Sequence, residues 1–279
     1  MKYYRCFPSM DLSPRLFTIQ WAELCGNRQT LSSKSQSLMD SEPYTSRRDW
    51  IAIVVGLILP TVVTLAYFIL AASAPPLVQQ LTYGIAKTGQ FLFPILWVML
   101  FQRRRPQLWP WSAAGVPIGL VFGLIVAASM WLGYHFLLQK VAFFIAAEDQ
   151  IRAKIAGMNL ETPTVFLGIG IFYSLIHSLL EEYYWRWFVF GQLSERTSLS
   201  TAIVVSSLGF MAHHVLVLGT YFGFFSPITW LFSLCIAVGG GVWAWLYHRT
   251  GSLLGPWLSH LLVDAAIFVI GYQIAFQSP

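Results

Sequence analysis

The chain is rich in apolar residues and poor in charge. It has 279 residues, of which 56% are hydrophobic and only 10% are charged, whereas about a quarter of the residues in a soluble domain are charged. This composition excludes an ordinary soluble enzyme and predicts an all-α, polytopic membrane protein whose partner is the lipid bilayer. The net charge of +5 does not indicate a nucleic-acid partner, because most basic residues flank apolar runs and no basic stripe with interleaved aromatic residues occurs.

Two regions differ in composition. Residues 1–49 are polar, with Ser-rich and basic stretches and no strong helical period, so we expect a disordered, cytoplasmic tail. Residues 50–276 are predicted to form a transmembrane bundle. Seven apolar runs in this region are long enough to span a bilayer, and they cover about residues 50–73, 81–101, 112–138, 162–190, 199–218, 228–247 and 253–276.

The segments between these spans predict the topology. Residues 139–160 mix charged side chains with alanine and phenylalanine, which predicts an amphipathic interfacial helix on the outer face, with a lid over a cavity as the alternative. Arg103–Arg105, Arg196 and Arg249 follow spans two, four and six, so the positive-inside rule favours a cytoplasmic amino terminus. We expect a bacterial cytoplasmic membrane. Lys87, near the predicted outer end of span two, is expected to extend to the lipid headgroups, with ligand binding as the alternative.

Span four carries two adjacent acids and an arginine. Insertion scales assign a cost of roughly 3 kcal/mol to a carboxylate or arginine at the centre of a membrane helix, so such groups are usually paired or functional. Glu182 and Arg186 are four residues apart, which places them on one helical face and predicts an ion pair. Glu181 points about 100° away, towards the face of His177 and Trp185, and we expect its carboxylate to be available for chemistry.

Polar residues in spans five and seven are predicted to reach the same depth as Glu181. Measured from the predicted cytoplasmic ends, Glu181, His214 and His260 lie about 9, 15 and 7 residues deep, or roughly 10 to 22 Å. Asp264 follows His260 by four residues and shares its helical face. We therefore expect one polar cavity in the cytoplasmic half of the bilayer. His213 is expected to be the weaker partner of its pair, because it faces about 100° away from His214.

A carboxylate and two imidazoles in an apolar cavity support more than one chemistry. Glu181 can take a proton from water, His214 can share that work, and His260 can stabilise a developing oxyanion. The same three residues also match a zinc site with an open water position. Spacing alone leaves both mechanisms open, and a hydrogen-bond network that only fixes helix packing is the structural alternative. The sequence therefore establishes no cofactor, and a divalent metal such as zinc stays a candidate.

Three motifs, in this order, resemble those of the CPBP intramembrane protease family, which includes the type II CAAX prenyl endopeptidases and the bacterial Abi or bacteriocin self-immunity proteins. The resemblance covers about residues 162–270. Each motif lies inside a predicted span. The motifs are Glu-Glu-x-x-x-Arg from Glu181 to Arg186, Phe-x-x-x-His from Phe210 to His214, and His-x-x-x-Asn/Asp from His260 to Asp264.

The resemblance implies an intramembrane endopeptidase that hydrolyses a peptide bond of a membrane-associated or lipidated protein. By position, Glu181 and His214 would activate the water, and His260 and Asp264 would help to bind the oxyanion. The family has been described both as glutamate-dependent and as metal-dependent. We favour the glutamate mechanism, because no zinc motif such as His-Glu-x-x-His occurs in the sequence.

The same resemblance implies supporting roles for Glu182, Arg186 and Phe210. Asp264 stands where prenyl endopeptidases usually have asparagine. Because an ionised aspartate would oppose an oxyanion, Asp264 must be protonated, orient His260 or help to hold a metal. The alternative function is a catalytically silent membrane scaffold, or an immunity-type protein, that uses the same polar cavity to bind a membrane partner.

Overall fold

The computed structural model describes residues 47–106, 112–157 and 160–277, and these form helices and no strand. Seven of the helices are long and apolar enough to cross a membrane, so the chain is a multi-pass membrane protein and the predicted all-α bundle is confirmed. We number the helices α1 (Arg47–Leu70), α2 (Pro76–Phe101), α3 (Ala113–Lys140), α4 (Ala142–Gly157), α5 (Pro163–Ser194), α6 (Leu199–Phe222), α7 (Pro227–Thr250) and α8 (Leu254–Phe276).

Two helices begin earlier than predicted. α1 begins at Arg47, so residues 47–49 of the expected tail are helical, while residues 1–46 lie outside the described part of the chain. Asp49 in the first turn pairs with Arg196 at 3.0 Å and accepts a hydrogen bond from Gln102 at 3.0 Å. These contacts stabilise the early start. α2 begins at Pro76, about five residues before the predicted span, because proline is well suited to the first turn of a helix.

Ion pairs join the end of α5 to the start of α1 and to the end of α2. Asp49 pairs with Arg196, as above, and Arg104 lies 3.9 Å from Glu195. Both contacts lie between helix ends that the basic residues predict on one side of the membrane. The described bundle therefore has one end at which the start of α1 meets the ends of α2 and α5.

Helix α5 is irregular at its centre. A five-residue α-helical stretch, Ser178–Glu182, lies between two π-helical stretches, Tyr173–His177 and Tyr183–Phe190. Wide turns of this kind occur frequently at functional sites. Large side chains of the second stretch, including Tyr184 and Trp185, are almost fully buried, and the Tyr184 hydroxyl donates to the carbonyl of Gly56 in α1 at 2.8 Å. The two adjacent acids therefore lie in the tightly packed centre of the bundle.

Helix α4, predicted within residues 139–160, is tied to the neighbouring helices by polar contacts. Arg152 donates to the carbonyl of Ile274 in α8 at 2.5 Å and pairs with Glu148 at 3.1 Å. The Tyr134 hydroxyl of α3 donates to Glu148 at 3.2 Å. Because the Arg152 contact occupies a carbonyl near the end of α8, α4 is fixed to the part of α8 that lies far from His260.

Helices α3 and α8 touch through their backbones. A Cβ atom on Gly119 would collide with the carbonyl oxygen of Gly255, and one on Gly255 would lie 2.6 Å from the carbonyl oxygen of Gly115. A Cβ atom on Gly123 would lie 2.9 Å from the Cα atom of Ser259. Small residues let membrane helices approach in this way. This contact positions the first half of α8, which carries the third motif.

We expect Gly119→Ala to destabilise the protein by about 1–3 kcal/mol, because the added methyl group overpacks the contact between α3 and α8. The matched control is Gly133→Ala in the same helix, where an added Cβ meets nothing within 4 Å. Thermal unfolding of the purified variants in detergent measures the difference. Equal unfolding temperatures for the two variants would contradict the prediction.

Candidate active site

The carboxylate of Glu181 is surrounded by imidazoles from three helices. Its Oε1 lies 3.7 Å from Nε2 of His213 and 4.0 Å from Nε2 of His177, and its Oε2 lies 3.7 Å from Nε2 of His260. Glu181 is buried, with 4% of its surface exposed. The separations are slightly longer than direct hydrogen bonds, so the carboxylate keeps acceptor capacity for a water molecule among the three rings.

Glu182 has different partners. Its Oε1 lies 3.1 Å from Nη1 of Arg186, which is the ion pair that the spacing of four predicts. The same oxygen accepts a hydrogen bond of 2.8 Å from Nδ1 of His260 in α8, and this contact was not predicted. Glu182 is fully buried and Arg186 is 2% exposed. The second acid therefore joins the arginine of α5 to the histidine of α8.

The Arg186 guanidinium lies between aromatic rings of α6 and α7. Its Cζ is 4.7 Å from the ring centroid of Phe210 and 4.9 Å from that of Trp243, and its Nη2 lies 3.5 Å from the carbonyl oxygen of Gly240. A side chain on Gly240 would lie 3.2 Å from Phe210 and 3.4 Å from Arg186. Cation–π contacts contribute about 2 kcal/mol when desolvated. Phe210 therefore covers the arginine, and the glycine makes room for it.

His260 is held in one orientation. Its Nδ1 bonds to Glu182, as above, and the indole ring of Trp243 stacks on the imidazole with the centroids 4.3 Å apart and the planes 18° apart. Its Nε2 is 3.7 Å from Glu181 and 3.6 Å from Oδ1 of Asp264. The Nε2 atom therefore faces both the Glu181 carboxylate and the acid that occupies the third motif.

Both histidines of α6 border Glu181. Nδ1 of His214 donates to the carbonyl of Phe210 at 2.9 Å, which leaves its Nε2 for the cavity. One ligand atom from each of Glu181, His213 and His214 lies within 4.8 Å of the other two. His213, which was expected to be the weaker partner of the pair, thus lies beside Glu181 with its Nε2 at 3.7 Å. Two consecutive residues can approach one carboxylate where α6 meets α5, although helical geometry assigns them to different faces.

The same three residues could hold a metal ion. One carboxylate and two histidines form a ligand set found in catalytic zinc sites, and the bond from His214 to a carbonyl is the usual support of a metal-bound histidine. This group contains His213 in place of His260, which is the ligand that the sequence predicts. A divalent ion bound there would activate a water molecule as a nucleophile.

Two further groups border the site and have no place in the predicted motifs. His177 lies beside Glu181, as its position one turn earlier in α5 allows. Lys87 lies about eleven residues after the first residue of α2, near the middle of the helix. The expectation that it is close to a helix end is therefore wrong. Its Nζ is 5.5 Å from the ring centroid of Phe91, and this ring packs against that of His177 with centroids 5.8 Å apart.

An apolar groove of about 360 Å³ lies between α5 and α8, next to the third motif. In α8 its lining begins at Ala265, directly after Asp264 in the chain, and it also includes Phe166, Ser174 and Phe268. The groove therefore adjoins the polar cluster on the side of α5 that carries Ser174.

The fold and the cluster together define a multi-pass membrane protein with a buried Glu–His site. Residues 163–266 match the family model described as Type II CAAX prenyl endopeptidase Rce1-like. The matched segment contains all three motifs, so the resemblance inferred from them is confirmed. No curated protein and no solved structure gives a significant match to the chain.

We expect Arg186→Met to destabilise the protein by about 3–5 kcal/mol, because it leaves the buried Glu182 carboxylate without its cation. The double variant with Glu182→Gln and Arg186→Met should be less destabilised, because it removes both charges. Arg105→Met, at an exposed arginine, is the matched control and should leave stability unchanged. Thermal unfolding in detergent measures all three, and an Arg186→Met variant as stable as the wild type would show that the pair contributes nothing.

Proposed function

We propose that the chain is an intramembrane endopeptidase that hydrolyses a peptide bond of a membrane-associated or lipidated protein. The observation that carries the proposal is the buried Glu181 carboxylate, which has three imidazoles within 4.0 Å inside a membrane-spanning helix. The match of residues 163–266 to the Rce1-like prenyl endopeptidases supports the same activity. Protein or peptide substrates in the bilayer are therefore the proposed partners, and lipidated termini of the CAAX type are the first candidates.

In the first proposed step Glu181 acts as the general base. It takes a proton from a water molecule while the water oxygen forms a bond to the carbonyl carbon of the substrate. The π electrons of the carbonyl group move to its oxygen, which becomes the oxyanion. His213 and His214 border the same carboxylate and hold the water in place. General-base catalysis by a positioned side chain contributes typically about 10²–10⁴-fold to a rate.

His260 is proposed to stabilise the oxyanion through Nε2. A carboxylate on Nδ1 and a stacked indole fix the direction of this nitrogen, and a donor that is already oriented stabilises developing charge most effectively. Asp264 lies against the same Nε2 at 3.6 Å. Of the roles open to Asp264, this contact best supports orientation of the His260 ring.

In the second proposed step the intermediate collapses. The proton held by Glu181 passes to the nitrogen of the leaving amine, the carbon–nitrogen bond breaks and the carbonyl group reforms. Glu182 and Arg186 take no proton in this scheme. They hold His260 and the helices around it.

The proposed location is a bacterial cytoplasmic membrane with the amino terminus in the cytoplasm. The basic residues that favour this orientation follow spans two, four and six. Two of them, Arg104 and Arg196, make ion pairs at the end of the bundle where α1 begins, which supports a common side for these segments.

We expect Glu181→Gln to abolish proteolysis while the protein stays folded, because glutamine cannot take the proton from water. The protein amino termini in host membranes that carry equal amounts of either protein should differ, with new termini only for the wild type. The matched control is Glu161→Gln, at an exposed acid outside the site, and it should give the wild-type termini. Identical termini, together with a host phenotype that survives Glu181→Gln, would favour the scaffold or immunity function instead.

We expect His213→Asn and His214→Asn each to lower the cleavage rate by about 10²-fold or more, because each ring borders the proposed base. His135→Asn is the matched control, since this ring packs on Trp131 in α3 with centroids 4.4 Å apart and should leave the rate unchanged. The rates are measured on the substrate that the terminus comparison identifies. Full activity of His213→Asn would remove His213 from the site.

A further inference from the structure

Lys87 is a cation in the middle of a membrane-spanning helix. It lies about 16 Å along α2 from Pro76, which is farther from the helix end than a lysine side chain reaches. A lysine at this depth is costly to insert and is usually functional. Its Nζ lies over the Phe91 ring, which packs edge-on against the His177 ring with centroids 5.8 Å apart. The lysine is therefore directed towards the interior of the site.

The Lys87 ammonium group has no ion pair within the described residues. No carboxylate oxygen of the described part of the chain lies within 4.0 Å of Nζ. A cation at membrane depth that lacks a close partner is costly. An anionic group from outside the chain would supply the missing contact.

His177 offers a second unused donor in the same corner. Its Nε2 is buried and has no hydrogen-bond partner, and it lies 4.0 Å from Glu181. Buried polar atoms without partners in a native structure usually have a functional explanation. Lys87 and His177 thus present an ammonium group and an imidazole nitrogen to the space beside the proposed base.

We propose that Lys87 and His177 form a subsite that binds a carboxylate of the substrate next to the bond that is cut. The inference rests on the proposed endopeptidase function. A carboxylate can accept hydrogen bonds from both groups at once, and charge-assisted bonds of this kind are about twice as strong as neutral ones. The carboxylate can come from the carboxyl terminus of the substrate or from an acidic side chain close to the scissile bond.

Three lipidated peptides distinguish these sources. The first is a fluorescent, farnesylated Cys-Val-Ile-Ala with a free carboxyl terminus, and the second is the same peptide with a terminal amide. The third has the terminal amide and an aspartate in the last position. Their binding is measured on Glu181→Gln protein in lipid nanodiscs, so that no peptide is consumed, and their cleavage is measured separately on the wild type.

The variants isolate the charge of Lys87. Lys87→Met removes the ammonium group from the bilayer, which makes insertion easier and should preserve the fold. Lys87→Arg keeps the charge. The matched control is Lys154→Met in α4, because Lys154 also lies over an aromatic ring, with its Nζ 4.8 Å from the Tyr67 centroid, and has no place in the proposed subsite. His177→Phe removes the second donor and keeps a ring in its place.

We expect the free-carboxylate peptide, or the aspartate peptide, to bind roughly 10- to 100-fold more tightly than the plain amide. Lys87→Met should abolish this preference, His177→Phe should reduce it, and Lys87→Arg and Lys154→Met should keep it. The peptide that shows the preference identifies the source of the carboxylate.

Three results would overturn the subsite. The first is equal binding of all three peptides, and the second is no binding of any peptide. The third is an equal loss of binding for all three in Lys87→Met, which would mean that the lysine supports the site without contacting the carboxylate. A preference that depends on Lys87, without cleavage by the wild type, would instead leave the subsite in place and refute the endopeptidase function. Cleavage that depends on Glu181 without any preference would refute the subsite alone.

Discussion

The buried ion pair between Glu182 and Arg186 is the interaction on which the rest of the site depends. Either charge alone in the bilayer would cost several kcal/mol, and the pair removes most of that cost only if both side chains stay where they are. Arg186 contacts α6 through Phe210 and α7 through Trp243, while Glu182 contacts α8 through His260. One pair on α5 therefore fixes four helices relative to each other, and the neighbouring acid is left for chemistry.

The sequence predicted what a single helix determines. The spans could be found because a bilayer requires about 20 apolar residues in a row, and the ion pair followed from a spacing of four. The position of His213 and the partner of His260 depend on how α6 and α8 are rotated against α5, which the period within one helix does not encode. The depth of Lys87 was misjudged because Gln79 and Gln80 interrupt the apolar run at the start of α2.

The described site has two parts, one inside and one outside the segment that matches the family model. The acids, the histidines of α6 and α8 and their aromatic supports all lie within residues 163–266, the segment that matches the family model. Lys87 and Phe91 belong to α2, outside that segment. If the proposed chemistry resides in the matched helices, the choice of substrate can change through α2 without any change to the residues that carry out hydrolysis.

The glycine contact between α3 and α8 also limits how a substrate can enter. A helix with its side chains is about 10–12 Å wide, and even an extended peptide needs space between two helices to pass. At Gly119, Gly123 and Gly255 the two backbones leave no room for a methyl group. A substrate therefore cannot enter from the lipid between α3 and α8. A substrate anchored in the bilayer has to reach the Glu181 carboxylate from another side.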